Sequence, residues 1–355
     1  QHTRFQHALG CLHLMHKAIQ QLTNKGHEIT KDEEQALKIA ILLHDIGHGP
    51  FSHALEKTLV EEINHESLSL AFMHNLNDEF NGKLSLAIKI FKNTYHKKFL
   101  HQLVSSQLDM DRLDYLKRDS FYTGVTEGNI GTDRIINMLN VVNDNLVIEE
   151  KGIYSIEKFI LARRLMYWQV YLHKTVISAE FMIIKLIKRA KFLLAENKVI
   201  YTTQSLYDLL KNKYSASDFK DSKQLINKFA SLDDYDIYSC LKQWQYNDDL
   251  VLSTLSKYIL NRNINKIMIK SEKVEDDLFL AKLKITQEKY KIKKSDLKFL
   301  IYTGMVSNNI YSDENSNINI LMKNGEIKDL SRASDHFNIE ALNKKTNKYF
   351  ISYPR

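Results

Sequence analysis

The sequence predicts a mainly α-helical protein with a smaller α+β lobe at its C-terminal end. Three observations carry that prediction. Glycine (11) and proline (2) are scarce among 355 residues, so little interrupts long helices. Through most of the chain up to about residue 260, apolar residues recur every three or four positions, the period of one buried helix face. The last hundred residues are rich in Lys and Asn and alternate apolar with polar, the period of a strand.

Phe5, Leu9, Leu12, Met15 and Ile19 mark a first helix over 3–22. NKGHEIT (24–30) connects it to a second. There Thr30 and Glu33 make a capping-box pattern, and Ala36, Ile39, Ala40 and Leu43 supply the buried stripe. Gly47 and Gly49-Pro50 end that helix. Further helical patterns cover 52–62, 65–76, 84–92 and 97–118. Asn145 to Ile148 reads as part of a short hairpin turning through Lys151-Gly152, and one long helix is expected over 155–195. Helical segments follow at 203–213, 220–230, 234–245 and 248–261. Asn324-Gly325 between alternating apolar residues is a hairpin signal, and KYFISYP (348–354) reads as a terminal strand. The expected division is a helical catalytic core over 1–195 and an α+β lobe over 196–355, with no internal repeat.

The formal charge is +7 and 44% of residues are hydrophobic, enough for a large core. A Lys-rich solvated surface accounts for the charge; nucleic acid or an anionic small substrate is the sharper reading. No Lys/Arg block or RNA-binding signature supports a dedicated nucleic-acid module, so nucleic acid is not the favoured partner. Cys11 and Cys240 form no CxxC pair, which fits a reducing cytoplasm. No run of 18 apolar residues and no signal peptide is visible, so no membrane is expected as a partner. The chain opens on QHTRFQH without an initiator Met, and sequence before residue 1 is expected.

AILLHDIGHGPFSH (40–53) concentrates unusual chemistry. His44 and Asp45, about 100° apart on a helix, can both reach one ion at a helix terminus. HTRFQH places Arg4 and His7 three apart on one helical face. FSHALE and NHE supply His53, Glu56, His65 and Glu66. In SSQLDMDRLDYLKRDS (105–120), Asp111, Tyr115, Arg118 and Asp119 fall on one side of a helix. Singly, each has a plain reading: His7 a core histidine, Asp111 part of a surface charge lattice with Arg112 and Arg118. Together the imidazoles and carboxylates suit a divalent transition metal with open positions.

HTRFQHALG, HDIGHGPFSHALE, NHE and LDMDRLDYLKRDSFYTGV, with RRLMYWQVYLHKTV (163–176), resemble the HD phosphohydrolase superfamily. Within it they resemble the deoxynucleoside triphosphate triphosphohydrolases (dNTPases), including the SAM- and HD-domain-containing group. The resemblance covers residues 1–180. It implies an HD-domain helical core in which His7, His44, Asp45 and Asp111 hold iron, manganese, nickel, zinc or magnesium. It implies attack of metal-activated water at the α-phosphorus of a dNTP, releasing deoxynucleoside and inorganic triphosphate. His53 is then the donor of a proton to the departing 5′ oxygen, and Glu56 and His65 orient it. Arg4, His48, Arg112 and Arg163 match phosphate contacts. Tyr115, Asp119 and Tyr171 match residues around the deoxyribose, and Tyr167 lines the base pocket. Tyr167 and Tyr171 read equally well as core packing on an amphipathic helix. Glu56 stands where the family often has Asp, and Arg112 where it often has Lys. LNRNINK (260–266) is only loosely similar to an Arg-x-Leu-aromatic-Lys element, with Asn265 in the aromatic position, so a dNTP activator site is left open. The resemblance also implies a homo-oligomer (dimer, tetramer or hexamer), with the C-terminal lobe serving assembly or regulation. Two alternatives remain. One is HD chemistry on another phosphoester: a cyclic nucleotide, an alarmone or single-stranded nucleic acid. The other is a nucleotide-binding regulatory module.

Overall fold

The computed structural model describes residues 2–60, 63–308, 317–334 and 346–355. In chain order the elements are α1 (Arg4–Asn24), α2 (Lys31–Leu43), α3 (His53–Leu59), α4 (His65–Glu79), α5 (Ser85–Phe91), α6 (Lys98–Val104), α7 (Met110–Thr123), α8 (Thr132–Asn137), β1 (Leu139–Val142), β2 (Asn145–Glu149), α9 (Ile153–Met166), α10 (Lys174–Ala195), α11 (Gln204–Lys211), α12 (Ala216–Asp221), α13 (Lys223–Ala230), α14 (Asp234–Trp244), α15 (Leu250–Leu260), β3 (Lys266–Lys270), α16 (Asp276–Tyr290), β4 (Tyr302–Asn308), β5 (Asn319–Leu321), β6 (Ile327–Asp329), α17 (Leu330–Ala333) and β7 (Thr346–Tyr353). Among the described residues the fold is mainly α with two small sheets, as the glycine and proline scarcity implies.

Two compact units form, each from separate stretches of chain. The first takes residues 1–46, 72–171 and 308–346, the second 47–71, 172–307 and 347–355. These units differ from the expected division after residue 195. The segment carrying His48, His53 and His65 groups with the second unit, because α3 packs on α10.

In the first unit α1 packs against α2 and α7, and α2 against α5 and α6. A Thr3–Gln6 capping box starts α1. Its buried face is His7, Ala8, Cys11, Leu14, Met15, Ala18, Ile19 and Leu22. Phe5 and Leu9, expected inside, are exposed. The stripe starts on His7 instead, because that ring is held between two carboxylates of α7. The Thr30–Glu33 capping box forms as expected, and α2 buries Ala36, Leu37, Ala40 and Ile41. The sheet order is β1-β2-β5-β6, with β2 and β5 parallel and the other pairs antiparallel. The β1–β2 hairpin turns at Asn143-Asp144, both left-handed at φ 49° and 62°, not at Lys151-Gly152. Asn and Asp accept that conformation, which a two-residue hairpin needs. Lys151-Gly152 lies instead in a short 3₁₀ turn leading into α9. The Asn324-Gly325 turn between β5 and β6 forms as expected, with Gly325 at φ 86°.

The helix expected over 97–118 is two helices. α6 ends at Val104, and Asp109 starts α7 by accepting from Arg112 N. The helix expected over 155–195 is also divided. A π turn occupies Tyr167–Tyr171, and His173 caps α10. The segment expected at 220–230 is α13, capped by Ser222 and preceded by the separate α12.

In the second unit α10 packs against α3, α11, α15 and β3. Arg189 on α10 ties down Asp249 (2.6 and 3.0 Å) and Asp296 (2.8 Å). The sheet order is β3-β7-β4, and the expected terminal strand is β7, antiparallel to β3. Phe350 packs with Ile177, Phe181 and Tyr302 over Gly304, where a Cβ would lie 2.4 Å from the Phe350 ring.

Candidate functional site

The first unit gathers the ligand candidates from three helices. His7 comes from α1, His44 and Asp45 from the end of α2, and Asp111 from the first turn of α7. His7 Nε2 lies 3.0 Å from Asp111 Oδ1 and 3.8 Å from Asp45 Oδ2. His44 Nε2 lies 3.5 Å from both Asp45 Oδ1 and Asp111 Oδ1. His44 Nδ1 donates to the Ile41 carbonyl at 2.6 Å, which turns Nε2 toward the carboxylates. Burial disfavours charge on the His7 ring, yet hydrogen bonds to Asp111 and Asp114 outweigh it and raise its pKa to about 12. Burial likewise opposes ionisation of Asp111, but hydrogen bonds from His44 and His7 hold it well below the usual carboxylate range. Two imidazoles and two carboxylates drawn together in this way are a donor set that fits a divalent cation.

Cys11 lies in the same cluster, its ligand atom within 4.8 Å of those of His7, His44 and Asp111. Its sulfur is 3.6 Å from each of the two His7 nitrogens. That equal spacing sets it beside the ring and off the line of the Nε2 lone pair, as a packing neighbour. Burial pushes its thiol up to about 12. Sequence spacing alone did not single out Cys11 or Asp114. Asp114 meets His7 Nδ1 at 2.7 Å and is gripped by Arg118 at 2.7 and 2.9 Å. The signal for it is the shared face of 111, 114 and 118 on α7. The plain reading of Asp111 as a partner of Arg112 and Arg118 does not hold: Arg112 pairs with Asp109 and Arg118 with Asp114.

The cations and tyrosines expected around a nucleotide also lie in this unit, apart from His48. Arg4 Nη1 donates to Asp45 Oδ2 at 2.6 Å. Arg163 is buried and donates from Nη1 to Gln107 Oε1 at 2.8 Å. Tyr171 donates to Asp119 at 2.7 Å and meets Tyr115 and Tyr167 edge to face, ring centres 6.1 and 5.2 Å apart. Tyr167 and Tyr171 are placed by the π turn, a device common at functional sites.

The second unit holds the other group. Glu56 joins two histidines: His65 Nδ1 donates to Oε1 at 3.0 Å and His53 Nδ1 to Oε2 at 3.3 Å. Burial opposes ionisation of Glu56, but the His65 backbone N–H and both rings lower its pKa. His48 stacks on His65, ring centres 4.1 Å apart at 12°, and meets His53 edge-on. Stacked rings aim their in-plane lone pairs along parallel planes, so His48 and His65 do not converge on one ion. Phe51 and Ser52 precede it with φ of 54° and 47°, a strained left-handed pair that sets the start of α3. His53 is correspondingly open, with 68% of its side chain exposed.

The chain matches the HD domain over residues 4–119 and the HD-associated region over 130–209. The uncharacterized protein YwfO of Bacillus subtilis is 30% identical across all of this chain and 82% of its own. The chain belongs to the HD-domain phosphohydrolase family. HD domains bind divalent metal ions, and His7, Cys11, His44 and Asp111 form a group that could hold one. A solved structure described as a phosphohydrolase from Bacteroides thetaiotaomicron is 50% identical to this HD protein. It covers the whole chain and 88% of its own, with a TM-score of 0.96. The SAMHD1 homologue of Dictyostelium discoideum, named a deoxynucleoside triphosphate triphosphohydrolase, is 31% identical over 51% of this chain and 39% of its own. Among the described residues no helix is long and apolar enough to cross a membrane.

Proposed function

We propose that this HD-domain protein hydrolyses deoxynucleoside triphosphates to deoxynucleoside and inorganic triphosphate. The observation that carries the reading is the set of His–Asp contacts at 3.0, 3.5, 3.5 and 3.8 Å that draws His7 and His44 together with Asp45 and Asp111. A divalent cation held by these four would acidify a water and polarise a phosphoryl oxygen at the α-phosphate. Iron, manganese, nickel, zinc and magnesium all suit such a mixed set. His53 donates a proton to the departing 5′ oxygen, with Glu56 and His65 fixing its ring. Arg4, His48, Arg112 and Arg163 bind the triphosphate; the planar arginine fork suits paired phosphate oxygens. Tyr115 and Tyr171 pack against the sugar and leave no room for a 2′-hydroxyl, Asp119 accepts from the 3′-hydroxyl, and Tyr167 lines the base pocket. The relative named for this activity in Dictyostelium supports the substrate class.

A cavity of about 780 Å³ in the second unit is lined by Lys174, Lys266, Lys282 and Lys289 with Tyr290 and Tyr353. This lining of lysines and aromatic residues supports a dNTP activator there, with the C-terminal part of the chain serving regulation and homo-oligomer assembly as a dimer, tetramer or hexamer. Two buried, unbridged cysteines support a reducing cytoplasm.

The test is product analysis. Purified protein is loaded with each divalent metal in turn and incubated with each dNTP. Deoxynucleoside plus triphosphate is the expected pair. Monophosphate plus pyrophosphate, or turnover confined to cyclic nucleotides or oligonucleotides, overturns the reading.

A further inference from the structure

We infer that Asp114 and Arg118, seated in a notch at Gly10, are positioning residues for the metal ligand His7. The inference deepens the ligand reading proposed above and rests on it. His7 faces Asp111 with Nε2, and its Nδ1 is 2.7 Å from Asp114 Oδ2. An imidazole that gives its Nδ1–H to a carboxylate presents the Nε2 lone pair on the opposite side. The carboxylate therefore selects the tautomer and sets the ring plane. Asp114 can do this only if it is itself fixed. Arg118, one turn further along α7, holds both of its oxygens, Nε on Oδ2 at 2.7 Å and Nη2 on Oδ1 at 2.9 Å. That two-point fork fixes the carboxylate plane, which a single ammonium would not.

The room for this pair comes from α1. A Cβ on Gly10 would lie 2.0 Å from Asp114 Oδ1 and 2.3 Å from Arg118 Nη2. Gly10 sits inside a helix, three residues after His7, where glycine is usually a cost. Its role is steric: bare backbone forms the floor on which the ion pair lies. The plain competing role is that the pair only fastens α1 to α7. A fastener changes stability. It does not select which His7 nitrogen meets the ion or how tightly the ion is held.

The test uses the full chain and Zn²⁺ as a diamagnetic probe. Gly10→Ala and Asp114→Asn are titrated with Zn²⁺ against a fluorescent chelator, with thermal melts of the metal-free proteins alongside. ¹⁵N–¹H spectra of histidine-labelled, Zn²⁺-loaded parent protein report the two His7 nitrogens. The expected result is Nδ1 protonated and Nε2 bound in the parent, with Zn²⁺ affinity about 10–100-fold weaker in each variant. Variants that melt earlier yet keep the parent's Zn²⁺ affinity overturn the inference. So does a parent spectrum with Nδ1 bound, which decides the matter even if Asp114→Asn does not fold. No nucleotide is needed, so a failure of dNTP hydrolysis leaves this result standing. Zn²⁺ affinity unchanged by His44→Ala would instead remove the ligand reading itself.

Discussion

Gly47 shows how one small residue sets the approach of the helix that carries His65. A Cβ there would lie 2.3 Å from both the His65 carbonyl oxygen and the Ser69 amide nitrogen, backbone atoms of α4 that cannot swing aside. Gly47→Ala is therefore expected to cost about 1–3 kcal/mol in urea unfolding. It should also lower turnover, because α4 carries His65 and with it one side of the Glu56 pair. An alanine variant with parental stability and rate would show that the helix is not held here. His53→Ala makes a different prediction. The exposed ring contributes little to stability, within about 0.5 kcal/mol. Its loss should lower kcat by about 10²–10⁴-fold if it supplies the proton; an unchanged kcat would place the acid elsewhere. At this scale the residues of the His44-Asp45 stretch are legible from local density alone. Asp114 is not, because its meaning depends on His7, 107 positions away.

At the scale of elements, α2 delivers His44 and Asp45, and its start is anchored by Glu33. The capping box with Thr30 is visible in the sequence as two residues three apart. Two further partners are not: Lys97 Nζ donates at 2.9 Å and the Tyr95 hydroxyl at 2.8 Å, both more than sixty residues away. Burial disfavours the Glu33 charge, but the Thr30 backbone, Lys97 and Tyr95 more than compensate, and its pKa falls below the ordinary glutamate value. Glu33→Ala should cost about 1–3 kcal/mol at pH 7. A lowered folded pKa contributes stability that is fully present above the unfolded value of about 4.3 and is lost as pH falls through the folded value. The difference between parent and Glu33→Ala in urea unfolding should therefore shrink below about pH 4. A difference that stays constant down to pH 3 would mean the charge is not what anchors the helix. The same contrast between local and distant signals explains the helix boundaries. Asp109 starts α7 inside 97–118 with a local cap, and the π turn at Tyr167–Tyr171 interrupts a pattern that is periodic on both sides.

At the scale of the whole molecule, metal binding at the proposed His/Asp site, which draws on α1, α2 and α7, would couple to folding. A divalent metal at about 100 times its dissociation constant should add about 2.7 kcal/mol to unfolding of the unit that holds it. Thermal scans with metal, and with a chelator to reverse the effect, measure this. The double variant His44→Ala, Asp45→Ala should show no metal-dependent shift; a shift that survives would locate the ion elsewhere. Both units are assembled from separate stretches of chain, which no composition boundary announces.

By itself the sequence determined the helical class, the Thr30–Glu33 cap, the Asn324-Gly325 turn, the terminal strand and the residues of the HD motif. Each of these is written in neighbours a few positions apart, where propensity and period act. Only the tertiary structure decided that His7 faces inward while Phe5 does not, that Asp114 and Arg118 stand behind it, and that Glu56 joins two histidines. Those outcomes depend on which distant carboxylate can repay the burial of a polar ring, and a chain shows that only once its helices are packed.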